Sequence, residues 1–120
     1  MAVGDIKALQ TDGKAVDVTL SHTVTANQAA YVEGFLGFVH SDGDSGDTVA
    51  MNQDKREYQL IVPTALAVSK GDTIYIDVTD LTGHTPDSTA YYKAADTNRV
   101  AFMKATADQD ANDVVTGILL

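Results

Sequence analysis

Apolar residues in this chain recur at every second position, and that period constrains the fold more than any other feature. Val16, Val18 and Leu20 alternate with Asp17, Thr19 and Ser21. Tyr58, Leu60 and Val62 alternate with Gln59 and Ile61, and Pro63 stops the run. Ile74, Ile76 and Val78 alternate with Tyr75, Asp77 and Thr79. Successive side chains of a strand point to opposite faces, so each run reads as a half-buried β-strand. Val100, Phe102 and Lys104 form one face of a further run, with Ala101 and Met103 on the other. The closing VVTGILL at 114–120 is apolar enough for a strand buried on both faces.

Turn chemistry separates the runs. SDGDSGD at 41–47, SKGD at 69–72, TDLTGHTPDS at 79–88 and ADQDAND at 107–113 are rich in Gly, Asp, Ser, Thr and Asn. Short spacing between turn clusters favours a sandwich or barrel of small strands over alternating strands and helices. Eight or nine strands are expected, at 15–21, 29–33, 35–40, 47–52, 56–62, 73–79, 89–93, 99–105 and 114–120, with one helical turn at 64–68. These make residues 15–120 one all-β domain. Residues 1–14 lack a clear period and read as a flexible N-terminal arm, or alternatively as an edge strand. The strings Gly46-Asp47-Thr48 and Gly71-Asp72-Thr73 each precede alternating apolar residues. Two readings stay open: a duplicated unit, or "turn, then strand" written twice in similar letters.

Charge and composition exclude several function classes. The 120-residue chain carries 17 Asp and Glu against 8 Lys and Arg, a net charge of -9. All the acids except Glu33 and Glu57 are Asp, which favours turns over helix interiors. A net negative domain lacks the electrostatic footprint of a nucleic-acid binder. No apolar run approaches the ~18 residues of a membrane-spanning helix, and MAVGDIKALQ does not read as a signal peptide. Cysteine is absent, so disulfide, thiolate nucleophile and thiolate metal ligand are excluded.

Chemistry-bearing motifs are scarce. His22, His40 and His84 share no metal-binding spacing and read as side chains at strand ends or turns. Asp42, Asp44 and Asp47 place carboxylates as a calcium loop would. The calcium-loop pattern then needs an oxygen ligand at position five, Gly at six and Glu at twelve, where this chain has Gly46, Asp47 and Gln53. A solvated hairpin loop is the better reading. No nucleophile elbow, phosphate loop or dinucleotide fingerprint occurs. No catalytic residue, cofactor site or metal site is therefore assigned. Tyr91-Tyr92 is half of a stacking platform for sugars, or else one core ring and one surface ring.

The order of the pieces carries more than any single motif. An opening alternating strand leads to 29–39 (AAYVEGFLGFV). Gly46–Met51, Glu57–Pro63 and Lys70–Asp77 follow, and the chain closes on VVTGILL. This succession over residues 15–120 resembles the capsid decoration, or cement, proteins of tailed bacteriophages. Lys70–Asp77 together with Tyr58–Pro63 is its most specific part. Two departures stand out: 79–98 is longer than the family pattern, and Arg99-Val100-Ala101-Phe102 lacks the family's glycine.

The resemblance implies a compact β-barrel or β-tulip-like domain without catalytic residues. It implies a homotrimer seated on the outer capsid surface, clamping neighbouring major capsid subunits, in a protein made in the host cytoplasm and carried by the virion. Excess negative charge suits a protein that must stay dispersed before assembly. The arm can add a strand to an exposed sheet edge of the capsid, with Asp5, Ile6, Lys7 and Leu9 as its contact residues. Ile6 and Leu9 would anchor it and Lys7 would meet an acidic patch. The competing functions are a phage tail or fibre component and a glycan-binding β-sandwich.

Overall fold

The structure, a computed structural model, describes residues 15–54 and 56–120. The expected arm at 1–14 lies outside the described residues. The strands are β1 (Ala15–Thr19), β2 (Ala29–Val32), β3 (Phe35–Val39), β4 (Thr48–Asn52), β5 (Glu57–Ile61), β6 (Thr73–Asp77), β7 (Leu81–Thr82), β8 (Thr85–Pro86), β9 (Tyr91–Tyr92), β10 (Arg99–Ala105) and β11 (Val114–Leu119). A 3-10 turn, Thr64–Leu66, falls where the helical turn was expected.

All nine predicted strands are present. The two additional ones, β7 and β8, form a hairpin inside 79–88, which composition marks as loop. A two-residue connection, Gly83-His84, joins the pair Thr82 and Thr85, and Gly83 takes φ 64°. Glycine at the first position lets so short a hairpin turn with the twist of its strands. The β2–β3 hairpin turns on Glu33 and Gly34, both at positive φ (52° and 83°), the mirror-type turn that matches strand twist.

The strands form two antiparallel sheets, ordered β1-β4-β3-β2 and β5-β11-β10-β6-β9, besides the β7–β8 hairpin. Neither sheet closes into a barrel, so the all-β expectation holds with open sheets in place of a closed one. In the first sheet β1 and β2 remain edges, and other groups bridge the gap between them. The Glu33 carboxylate accepts the Thr19 N–H at 2.6 Å, and the His84 carbonyl accepts the Tyr31 N–H at 2.8 Å. The hairpin thus covers an edge that would otherwise expose unpaired backbone.

Two strand pairings recur in the two sheets, the first and second units, although β3–β4 in the first and β10–β11 in the second have no counterpart in the other. β1 pairs with β4 as β10 pairs with β6, and β2 pairs with β3 as β11 pairs with β5. The two Gly-Asp-Thr turns are bonded alike. The Gly46 N–H donates to Leu20 O and the Leu20 N–H to Asp47 O, both at 2.8 Å. The Gly71 N–H donates to Ala105 O at 2.8 Å and the Ala105 N–H to Asp72 O at 2.9 Å. Asp47 Oδ2 accepts the Asp44 N–H at 2.8 Å, and Asp72 Oδ2 accepts the Ser69 N–H at 2.9 Å. The two strings therefore build the same turn with the same kind of partners.

Each unit has its own core. Val18, Leu20, Ala30, Val32, Val39, Val49 and Met51 fill the first. Met103, Ala105, Val115, Val62, Ile74 and Ile76, at matching positions, belong to the second. The second core also takes in Ala29 and Phe38 from the outer side of the first unit. Phe102 joins it through a β-bulge: Ala101 faces Tyr75 and Met103 faces Ile74, which leaves Phe102 as the extra residue. Strict alternation along 99–105 is corrected for that reason, because the bulge turns Phe102 and Met103 both inward. The expectation that the last strand is buried on both faces is also corrected. Val115, Gly117 and Leu119 are buried, whereas Val114, Thr116 and Ile118 are half-buried.

Candidate functional site

The described loops are rich in aspartates. Their carboxylates hold turns together. Asp42 Oδ1 accepts the Ala26 N–H at 2.7 Å, and Asp44 Oδ1 accepts the Thr23 hydroxyl at 3.4 Å. Asp110 Oδ1 accepts the N–H groups of Asn112 and Val114 at 2.8 and 2.9 Å, and Asp108 accepts that of Lys70 at 2.8 Å. A side-chain oxygen that accepts a nearby backbone N–H fixes a turn in place of a ladder bond. Two open pockets lie beside these loops. One, of about 400 Å³, includes Val24, Gly43 and Asp44. The other, of about 360 Å³, includes Gln109, Val68 and Ser69, the equivalent residues of the second unit. Among the described residues no group of three or more His, Asp or Glu is placed to hold a metal ion.

Two of the three histidines meet. The His22 and His84 rings stand edge to face at 5.0 Å. His84 Nε2 accepts the Ser21 N–H at 2.9 Å, and the Ser21 hydroxyl lies 3.1 Å from both His84 Nε2 and His22 Nδ1. Burial, and then the charge of His22, push the His84 pKa below its ordinary value, against a hydrogen bond with the Tyr31 backbone that raises it. A ring nitrogen that accepts an amide proton must be unprotonated. The cluster therefore docks the β7–β8 hairpin on the first unit. His40 lies elsewhere, bonded to Asn52.

Tyr91 and Tyr92 are both half-buried. Tyr91 packs against the second core, and burial raises its pKa to about 12. The Tyr92 ring lies under the Arg99 guanidinium, 3.5 Å from its centroid. That cation–π contact covers one face of the Tyr92 ring, and adjacent strand residues point to opposite faces of the sheet. The two rings thus form no shared platform.

The surface features that sequence reasoning missed are apolar. Phe35, Ile61, Val100 and Leu120 are exposed, Ile61 at 72%. Ile61 carried a signal: it is apolar at the outward parity of a strand whose inward residues are Tyr58, Leu60 and Val62. The contact residues expected in the arm, Asp5, Ile6, Lys7 and Leu9, lie outside the described residues.

Two open acidic loops, a histidine junction and scattered apolar side chains are the main features of the described surface. No curated protein matches the chain. A family model described as phage cement protein matches residues 10–119. That is the family the order of turns and strands resembles, and it spans nearly the whole chain. The chain therefore belongs to the phage cement proteins, a family of structural, capsid-associated proteins of bacteriophages.

Proposed function

We propose that this protein is a non-catalytic cement that binds the outer surface of the phage capsid and stabilises the shell. The observation that carries this reading is the family match over residues 10–119. The carboxylates described above are compatible with it, because those that line the two open pockets are engaged in turn hydrogen bonds. The partner is the major capsid protein, and the protein acts as a homotrimer so that many weak contacts form together. The arm, with Asp5, Ile6, Lys7 and Leu9, contacts the capsid. The protein is made in the host cytoplasm and ends on the virion, without nucleic acid or membrane as a direct partner.

Mass spectrometry of purified virions tests the reading. The expected result is this chain at a copy number comparable with that of the major capsid protein. A trace amount, or its absence from virions, contradicts it.

A further inference from the structure

The two units meet head to tail. The pair Ala29–Phe38, in β2 and β3, lies on the outer side of the first unit and is buried against the second. There the Phe38 ring stacks on Tyr58, centroids 4.7 Å apart and 15° from parallel. A contact of this kind uses one patch on the first unit and a different patch on the second. It therefore leaves one copy of each patch unused.

Register identifies the unused patches. Ala29 faces Phe38 and Val32 faces Phe35 in the first unit, while Val114 faces Ile61 and Gly117 faces Tyr58 in the second. Ile61 is thus the counterpart of Phe38, and Phe35 is the counterpart of Tyr58. Phe38 is 4% exposed and Ile61 is 72% exposed. Tyr58 is packed against the core, and Phe35 is 43% exposed. The counterparts of the two rings that make the internal contact are both exposed large apolar side chains.

We infer that copies of this chain associate head to tail, with Ile61 of one copy packed on Phe35 of the next, repeating the Phe38–Tyr58 contact between chains. The occupant of the Ile61 face is a second copy because the interface it continues already exists within the chain. A homotrimer closed this way is a ring of six units. The external contact is smaller than the internal one. Phe102, which also packs on Phe38 at 5.2 Å, is the bulge residue and has no counterpart in β1. Association is therefore weak and rises with concentration and with salt, which screens the net charge of -9.

The absence of cysteine gives a direct test. Ile61→Cys protein mixed with Phe35→Cys protein under mild oxidation in high salt should give disulfide-linked dimers. The double variant should give larger multimers, and each single variant alone should give neither. Efficient cross-linking of Ile61→Cys with itself overturns the head-to-tail contact. So does a mixed yield no greater than that of a Val100→Cys and Leu120→Cys mixture. Ile61→Asp checks the contact without cysteine: on an exposed side chain it keeps the thermal melt and should weaken self-association about tenfold or more by sedimentation. Unchanged self-association overturns the contact. The inference rests on the cement reading only for the use of the oligomer. Lost cross-linking with capsid binding retained sinks the contact alone, and cross-linking without capsid binding sinks the cement reading alone.

Discussion

Phe38 of β3 stacks on Tyr58 of β5 across the junction between the two units. Phe38 also packs on Phe102, so one ring ties together the first unit, an edge strand of the second sheet and the bulge of β10. Removing a buried aromatic ring costs about 3–5 kcal/mol, from lost transfer energy plus the cavity left behind. Phe38→Ala should lose that much in urea unfolding. A loss below about 1 kcal/mol would show that the units are held together elsewhere.

Asp47 and Asp72 make matching bonds in matching turns. Each accepts a backbone N–H near the surface, which is worth about 1 kcal/mol. Asp47→Ala and Asp72→Ala should therefore cost similar amounts, and the double variant should cost their sum. A neutral effect at one site with a loss above about 2 kcal/mol at the other would separate the two turns energetically.

How much of this was legible in the sequence depended on the period of each segment. β1, β5 and β6 alternate strictly, so the polar face and the core face could be read from Val18, Leu60 and Ile74. The bulge at Phe102 was hidden because an inserted residue leaves no mark in a run as apolar as RVAFMKA. The β7–β8 hairpin was hidden because two-residue strands carry no period. The Gly-Asp-Thr echo was visible as letters. Its meaning lay in partners more than thirty residues away along the chain for Asp72, at Ala105, and in Leu20 for Asp47. Gly37 shows the same limit. A Cβ there would run into Asn52 O of the neighbouring strand, a close approach set by a partner distant in the chain.

His84 makes stability depend on pH. Its folded pKa lies below the ordinary value of 6.5, so the native state binds fewer protons than the unfolded chain between those two values. The contribution is complete above about pH 6.5 and is lost as pH falls through the folded pKa. The melting temperature should drop from about pH 7 to about pH 5, and His84→Gln should flatten that drop. An equally steep drop in the variant would assign the dependence to other groups.

Tyr91 should act at the other end of the scale. Burial raises its pKa to about 12, so its contribution is present below the ordinary value of 10 and is lost as pH rises through the folded value. Alkaline unfolding should shift to higher pH in Tyr91→Phe, which leaves no hydroxyl to ionise. An unshifted transition would exclude Tyr91 as the trigger.

Addition of the purified protein to capsids of its own phage that lack it tests the central claim most directly. Sedimentation should recover the protein with the capsids at saturable occupancy, and the occupied shells should rupture at a higher temperature than bare ones. Deletion of residues 1–14 should weaken recovery while the melt of the remaining domain is kept. Failure of the full chain to sediment with the capsids, or occupied shells no more stable than bare ones, would contradict the assignment as a cement.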